Sequence, residues 1–193
     1  MLAQARRKAR ENNVAGIKWV LDTAENIDKS MGKFRLVAIG RAFHWMNKEL
    51  VMKNAAGMLE DGGGIAIITS PSEWSSSEAW KRDLIKVVKR HLGPKRLAGT
   101  GTYKSRKKSF ESALSVHFRK IQRYRIEREN KFTVDEIIGR LYSTSFASPR
   151  LFGKSRKKFE TDVRKTLLRR SPEGVLTERT KFYMFFARKE SSA

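Results

Sequence analysis

Cysteine is absent from the 193 residues, so neither disulfides nor thiolate-bound metals contribute to this protein. Only three histidines occur, His44, His91 and His117, far apart and without the spacing of metal ligands; no metal site is expected. No apolar run approaches the length that crosses a bilayer, and residues 1–13 lack the apolar core of a secretory leader. A cytoplasmic protein with no membrane partner is therefore expected. Acidic residues are scarce, 20 against 42 Lys and Arg, which leaves a net charge of +22.

A field of that size draws polyanions. The cations are nonetheless spread over 6–10, 104–108, 154–158 and 164–170, mostly within amphipathic segments that also carry Glu and Asp. No Arg/Gly-rich tail or RNA-binding aromatic motif accompanies them. The expected consequence is weak, sequence-independent, salt-sensitive attraction to nucleic acid.

What is present is a core-forming chain with 39% hydrophobic residues. Residues 2–12 place Leu2, Ala5 and Ala9 on one helical face. IKWVL (17–21) alternates like a strand, and FRLVAI (34–39) is a nearly continuous apolar run of the kind covered on both faces in parallel sheets. Asn47 caps a helix through Leu59, with Leu50, Val51, Asn54, Ala55 and Met58 inward. EDGGG (60–64) ends it and IAIIT (65–69) follows as a third strand, completing a βαβ unit. Beyond residue 71 come an amphipathic helix to Gly93, a polar loop, a short helix at 110–117 and a strand at 120–132. Thr133 with Glu136 forms a capping box; a helix over 154–168 and an aromatic strand, TKFYMFFARK (180–189), close the chain.

IGRAFHWM (39–46) sets an aromatic–imidazole cluster at the tip of the second strand, where open α/β sheets bind ligands. Trp45 also suits a core anchor, and His44 suits a structural hydrogen bond as well as a substrate-facing role. The Trp74–Trp80 pair reads equally as a lid or as helix-to-core packing.

Several segments in order resemble class I S-adenosylmethionine-dependent methyltransferases of the type related to the trans-aconitate enzymes: MLAQARRKA, WVLDTAENI, FRLVAIGRAFHWM, MLEDGGGIAII, TVDEIIGRLYSTSFAS and FETDVRKTLL. The resemblance implies a Rossmann-like α/β sheet ordered three, two, one, four, five, seven, six, with the last strand antiparallel and substrate-side helices toward the C-terminus. Within it, 1–70 correspond to a remaining cofactor-side half and 71–193 to the substrate-side helices and C-terminal strands of a single partial domain. The first and second strands, with their Gly-rich turn and ribose-binding acid, have no counterpart here. The GTG at 99–101 follows no strand and is no substitute. An N-terminally incomplete sheet is expected, and S-adenosylmethionine binding by this chain alone is expected to be weak.

By the same resemblance Thr23, Ala24 and Glu25 lie beside the adenine, and Gly40, Arg41 and Ala42 line the methionine end of the cofactor. Phe43, Trp45 and Tyr142 face the substrate, and His44 is the candidate catalytic group. Ser143 and Ser145 contact substrate or merely finish a helix. The implied activity is methyl transfer to a small-molecule acceptor, with a carboxylate favoured because it needs no general base. Two alternatives stand beside it: an RNA-directed methyltransferase or basic nucleic-acid-binding derivative, and a non-catalytic remnant. Against the first, GRAFHW stands where amino-directed nucleic-acid enzymes carry an N/D-P-P-Y/F motif. Acceptor identity and oligomeric state are not encoded in any recognisable motif.

Overall fold

Apolar β-branched runs separated by a capped helix and glycines fold into the parallel unit that such a pattern favours. In the computed structural model, which describes residues 2–72, 74, 76–98, 101–102 and 109–190, β1 (Phe34–Gly40) leads through α2 (Lys48–Met58) to β2 (Leu59–Thr69), and the two strands pair in parallel. The helix α1 (Leu2–Glu11) precedes them and buries no residue. Downstream lie α3 (Ala79–Leu92), the two-residue strands β3 (Leu97–Ala98) and β4 (Gly101–Thr102), α4 (Phe110–Leu114), β5 (Ile121–Thr133), α5 (Val134–Tyr142), α6 (Arg156–Leu168) and β6 (Val175–Arg188).

The main sheet is ordered β1-β2-β6-β5, with β6 antiparallel to both neighbours. This reproduces the four, five, seven, six portion of the expected order, including its reversed strand. Asn47 caps α2 through its side-chain oxygen, and Thr133 and Glu136 form the expected capping box on α5. The basic stretch at 104–108 and residues 99–100 lie outside the described residues, but the expectation that GTG follows no strand is corrected: β3 ends at Ala98 and Gly101 opens β4, antiparallel to it.

Three further expectations are corrected. Residues 17–21 form no strand: Ile17 and Val20 are each 43% exposed and Leu21 88%. Alternation suits a strand, but the backbone groups need an adjacent ladder, and among the described residues the outer edge of β1 carries no paired strand to extend toward them. The buried face of α2 is Val51, Met52, Ala55 and Met58; Leu50 is 39% exposed. β2 begins at Leu59, directly after α2, rather than after the glycines. The glycines sit inside it, where pairing jumps from Phe34↔Leu59 to Leu36↔Gly64. A Cβ on Gly63 would lie 2.9 Å from the Glu60 carbonyl oxygen, so only glycine fits this irregularity.

Helices α2 and α4 cover one face of the sheet, burying Ile39, Ile65, Ile67 and Phe185 against Val51, Met52 and Leu114. A second core joins α3, α5 and α6 around Leu84, Val88, Ile138, Phe159 and Leu167. The opposite sheet face leaves Leu36, Ile68, Tyr124 and Ile126 exposed. Between the cores, Glu178 of β6 is 3% exposed and receives Lys81 from α3 and Arg140 from α5.

Candidate functional site

Two parallel strands ending side by side leave a crevice beyond their C-terminal ends. β1 ends at Gly40, and the Arg41 backbone N–H donates to the Ile68 carbonyl at 2.8 Å, carrying the ladder one residue further. Arg41 then adopts the left-handed conformation, φ 53°, which a non-glycine residue takes at a cost of about 1 kcal/mol. A single 3₁₀ turn, Phe43–Trp45, follows and hands the chain to the Asn47 cap of α2.

This tip divides two hollows. On one side a slot of about 410 Å³ is lined by Asp22, Thr23, Ala24, Gly40, Ala42 and Met46, with Val20, Ile27 and Val37 adding apolar wall. Asp22 accepts from the Thr23 N–H at 2.7 Å and from Asn26 Nδ2 at 2.8 Å, which shapes the turn that presents Thr23. Glu25 accepts from the Asn47 N–H at 2.7 Å, and its carbonyl accepts from Asn54 Nδ2 at 3.0 Å. On the other side lies a cleft of about 510 Å³. Arg41, His44 and Trp45 line it from the tip, Thr69 from the end of β2, Ser70 and Ser72 from just beyond it, Arg96 from beyond α3, and Arg140, Ser143, Thr144 and Ser145 from the end of α5. Among the described residues the lining includes three arginines and six hydroxyls but no carboxylate.

Four of the six sequence-derived cofactor positions, Thr23, Ala24, Gly40 and Ala42, line the slot together. Glu25 tethers the segment to α2, and Arg41 turns to the cleft. His44 and Trp45 reach the cleft with ring centroids 4.8 Å apart. Two residues are not brought there. Phe43 is 1% exposed and packs 5.4 Å from the Phe110 ring. The Tyr142 hydroxyl donates to Glu160 at 2.7 Å under the Arg156 guanidinium, within the α5–α6 packing. Its neighbours Ser143 and Ser145 do line the cleft. Trp74 packs edge-on against Phe146, and Trp80 Nε1 donates to the Thr177 carbonyl at 3.1 Å, so both belong to helix packing.

Burial holds the His44 imidazole below its ordinary value of 6.5, and the nearby Arg96, Arg41 and Lys48 push the same way. His44 is therefore neutral near pH 7 and able to accept a proton. Arg96 donates from Nη1 to Ser72 Oγ at 3.1 Å and lies over the Phe146 ring; Arg140 donates from Nη1 to Glu178 at 2.8 Å. Neither arginine was singled out in the sequence, where Arg96 sits in a polar loop and Arg140 on a helix rich in surface charge. Among the described residues no cluster of ligands suits a metal, and no helix is long and apolar enough to cross a membrane.

No protein-family model and no curated protein matches the sequence. Solved structures do match in shape. The YcgJ protein from Bacillus subtilis is similar over 100% of this chain and 79% of its own, with TM-score 0.54 and 14% identity. A candidate methyltransferase from Bacillus halodurans is similar over 98% of this chain and 79% of its own, with TM-score 0.53 and 15% identity. Identities this low speak to fold alone. The chain is a Rossmann-like α/β protein. Its fold is that of the class I S-adenosylmethionine-dependent methyltransferases.

Proposed function

We propose that this chain transfers, or carries the acceptor side for transferring, a methyl group from S-adenosylmethionine to a small-molecule acceptor with an acidic group. One observation carries the reading: the Gly40–His44 tip parts an apolar slot from a basic, hydroxyl-rich cleft, so two ligands seated there would meet at one strand end. The cofactor supplies an already activated methyl group, which leaves the protein to position the partners and exclude water.

The slot residues suit the adenine end. Val20, Ile27 and Met46 offer apolar wall for a ring, Asp22 and Thr23 offer polar edges, and the space where a Gly40 Cβ would stand is open. Among the described residues no Gly-rich turn follows a strand to hold the methionine end, so the fit is partial. On the acceptor side, Arg41 pairs with an acidic group, Trp45 gives a flat apolar surface, and neutral His44 orients the acceptor or takes a proton from a hydroxyl or amine. The net charge of +22 adds a salt-sensitive attraction for polyanions, including nucleic acid, outside this chemistry.

The test is a titration of the chain with S-adenosylhomocysteine to millimolar concentration, followed by backbone amide resonances. Shifts gathered at residues 22–24 and 40–42 support the reading. Their absence, with shifts scattered over the basic surface, would overturn it.

A further inference from the structure

Helices α3 and α6 hold ten lysines and arginines against three acids. All three acids are engaged. Asp83 accepts from Arg170 Nε at 2.9 Å and Lys86 Nζ at 3.0 Å, Asp162 from the His91 ring at 2.9 Å, and Glu160 from Tyr142 and Arg156. The pairs Asp83–Arg170 and His91–Asp162 set the helices antiparallel, with a groove of about 350 Å³ between them. No residue of that groove lines the slot or the cleft.

Lys158, Lys165 and Arg169 are exposed and form no ion pair among the described residues. Spaced seven and four residues apart, they share one face of α6. At the helical rise the row is about 16 Å long, the length of roughly five phosphates along one strand of B-DNA. Across the groove the Lys86 and Arg90 side chains are 73% and 67% exposed. The first turn of α6 adds Arg156 and Lys157 and no acid, the reverse of what the positive end of a helix dipole favours. Charge placed against the dipole costs stability until an anion meets it.

The kind of anion follows from what this face lacks. Trp80 donates to the Thr177 carbonyl and Phe159 is fully buried, so neither ring is offered to unpaired bases. Among the described residues Leu168 is the single large apolar side chain exposed on the two helices, too little to enter a lipid surface. A helical ridge reaches the phosphates bordering the wide major groove of B-DNA, whereas the deep, narrow groove of A-form RNA excludes it. We propose that the α3–α6 face docks on double-stranded DNA through its phosphates, without reading sequence. The surface is independent of the methyl-transfer reading.

The test titrates the full chain with a labelled, mixed-sequence DNA duplex by fluorescence anisotropy over a range of salt. A triple variant, Lys158→Gln with Lys165→Gln and Arg169→Gln, is set against a charge-matched one, Arg6→Gln with Lys8→Gln and Arg10→Gln, in the helix that buries no residue. At about 0.1 M salt the α6 variant should bind at least about tenfold more weakly, and its slope of log K against log salt should flatten by about 0.9 for each lost phosphate contact. The α1 variant should stay within about twofold of the unaltered chain, because charges beyond a Debye length are screened. Equal losses in the two variants would overturn the proposal and return the attraction to the field of the whole molecule. Tighter binding of the matching single strand, of an RNA duplex or of phosphatidylserine vesicles would overturn it in favour of that partner. Acetylation of the unaltered chain with and without DNA keeps the question open to decision even where a variant folds poorly. Lys158 and Lys165 should be protected more than Lys8, and equal protection of all three would sink the docking face.

Discussion

The Glu25 carboxylate accepts the backbone N–H of Asn47 at 2.7 Å, joining the irregular segment before β1 to the first turn of α2. An ionised acceptor at a helix N-terminus is favoured both by the exposed N–H groups and by the helix dipole. The bond holds one wall of the slot against the other.

Glu25→Ala should therefore loosen the slot more than the fold. We expect a stability loss of about 1 kcal/mol, the ordinary net worth of an intramolecular hydrogen bond, since solvent reaches this one. Amide exchange should rise across residues 20–27 while β2 and β6 stay protected. Uniform acceleration throughout the chain would show that the tether supports the whole domain instead.

Affinity for S-adenosylmethionine should be low, with Kd in the millimolar range, corresponding to about −4 kcal/mol. The slot supplies walls for a ring but, among the described residues, no glycine-rich turn for the amino-acid end. Calorimetric titration checks this. Micromolar binding would mean that other groups in the cleft replace that turn.

Glu178→Gln should cost about 3 kcal/mol in urea denaturation, because it leaves Lys81 buried with, among the described residues, Glu78 alone as counter-ion. Replacing Lys81 and Glu178 together by apolar residues should recover part of the loss. Burial alone would raise the Glu178 carboxyl, yet hydrogen bonds from Arg140 and Lys81 outweigh it and hold the group below its ordinary 4.5. A lowered carboxylate stabilises the fold above its unfolded value, and that contribution disappears as pH falls through the folded one. The unaltered protein should lose stability in that acid window, and Glu178→Gln should show a shallower loss there.

His44 should titrate below 6.5 in a histidine NMR experiment, and Arg41→Gln or Arg96→Gln should each move it upward. The folded state then binds fewer protons than the unfolded chain between the two values. Stability should accordingly fall as pH drops from about 6.5 through the folded value of His44. A titration at or above 6.5 would place the imidazole outside the field of the cleft arginines.

Gly64→Ala should destabilise by about 1–3 kcal/mol, since its Cβ would come within 2.7 Å of the Phe186 ring. The cost should shrink in the Phe186→Leu background, measured as a double-mutant cycle.

Much of the architecture was legible because burial leaves a local trace. FRLVAI, apolar but for Arg35, and IAIIT do form strands, and Thr133 and Glu136 signal a helix start three residues apart; the expected cover on both faces is not there, since helices lie on one face and leave Leu36 and Ile68 exposed on the other. The 17–21 segment shows the limit of such traces: alternation describes side chains, while a strand also needs a neighbour's backbone. Phe43 and Trp45 show another, for two large aromatics in one turn do not reveal which enters the core; Phe43 does, and Trp45 is 46% exposed. The tip GRAFHW stood out because its unusual residues are adjacent. Arg96 and Arg140 did not, since a cleft assembled from residues 41, 96 and 140 has no contiguous signature.

Among the described residues the outer edge of β1 pairs with no strand, and the adjoining sheet face leaves Leu36, Ile68, Tyr124 and Ile126 exposed. Surfaces of this kind invite edge-to-edge stacking between molecules. At +22 every encounter between two copies is first a collision of like charges, felt over about 10 Å at 0.1 M salt and only about 3 Å at 1 M. The surplus of lysine and arginine thus acts as a colloidal guard for an open sheet, one that concentrated electrolyte or a polyanion strips away.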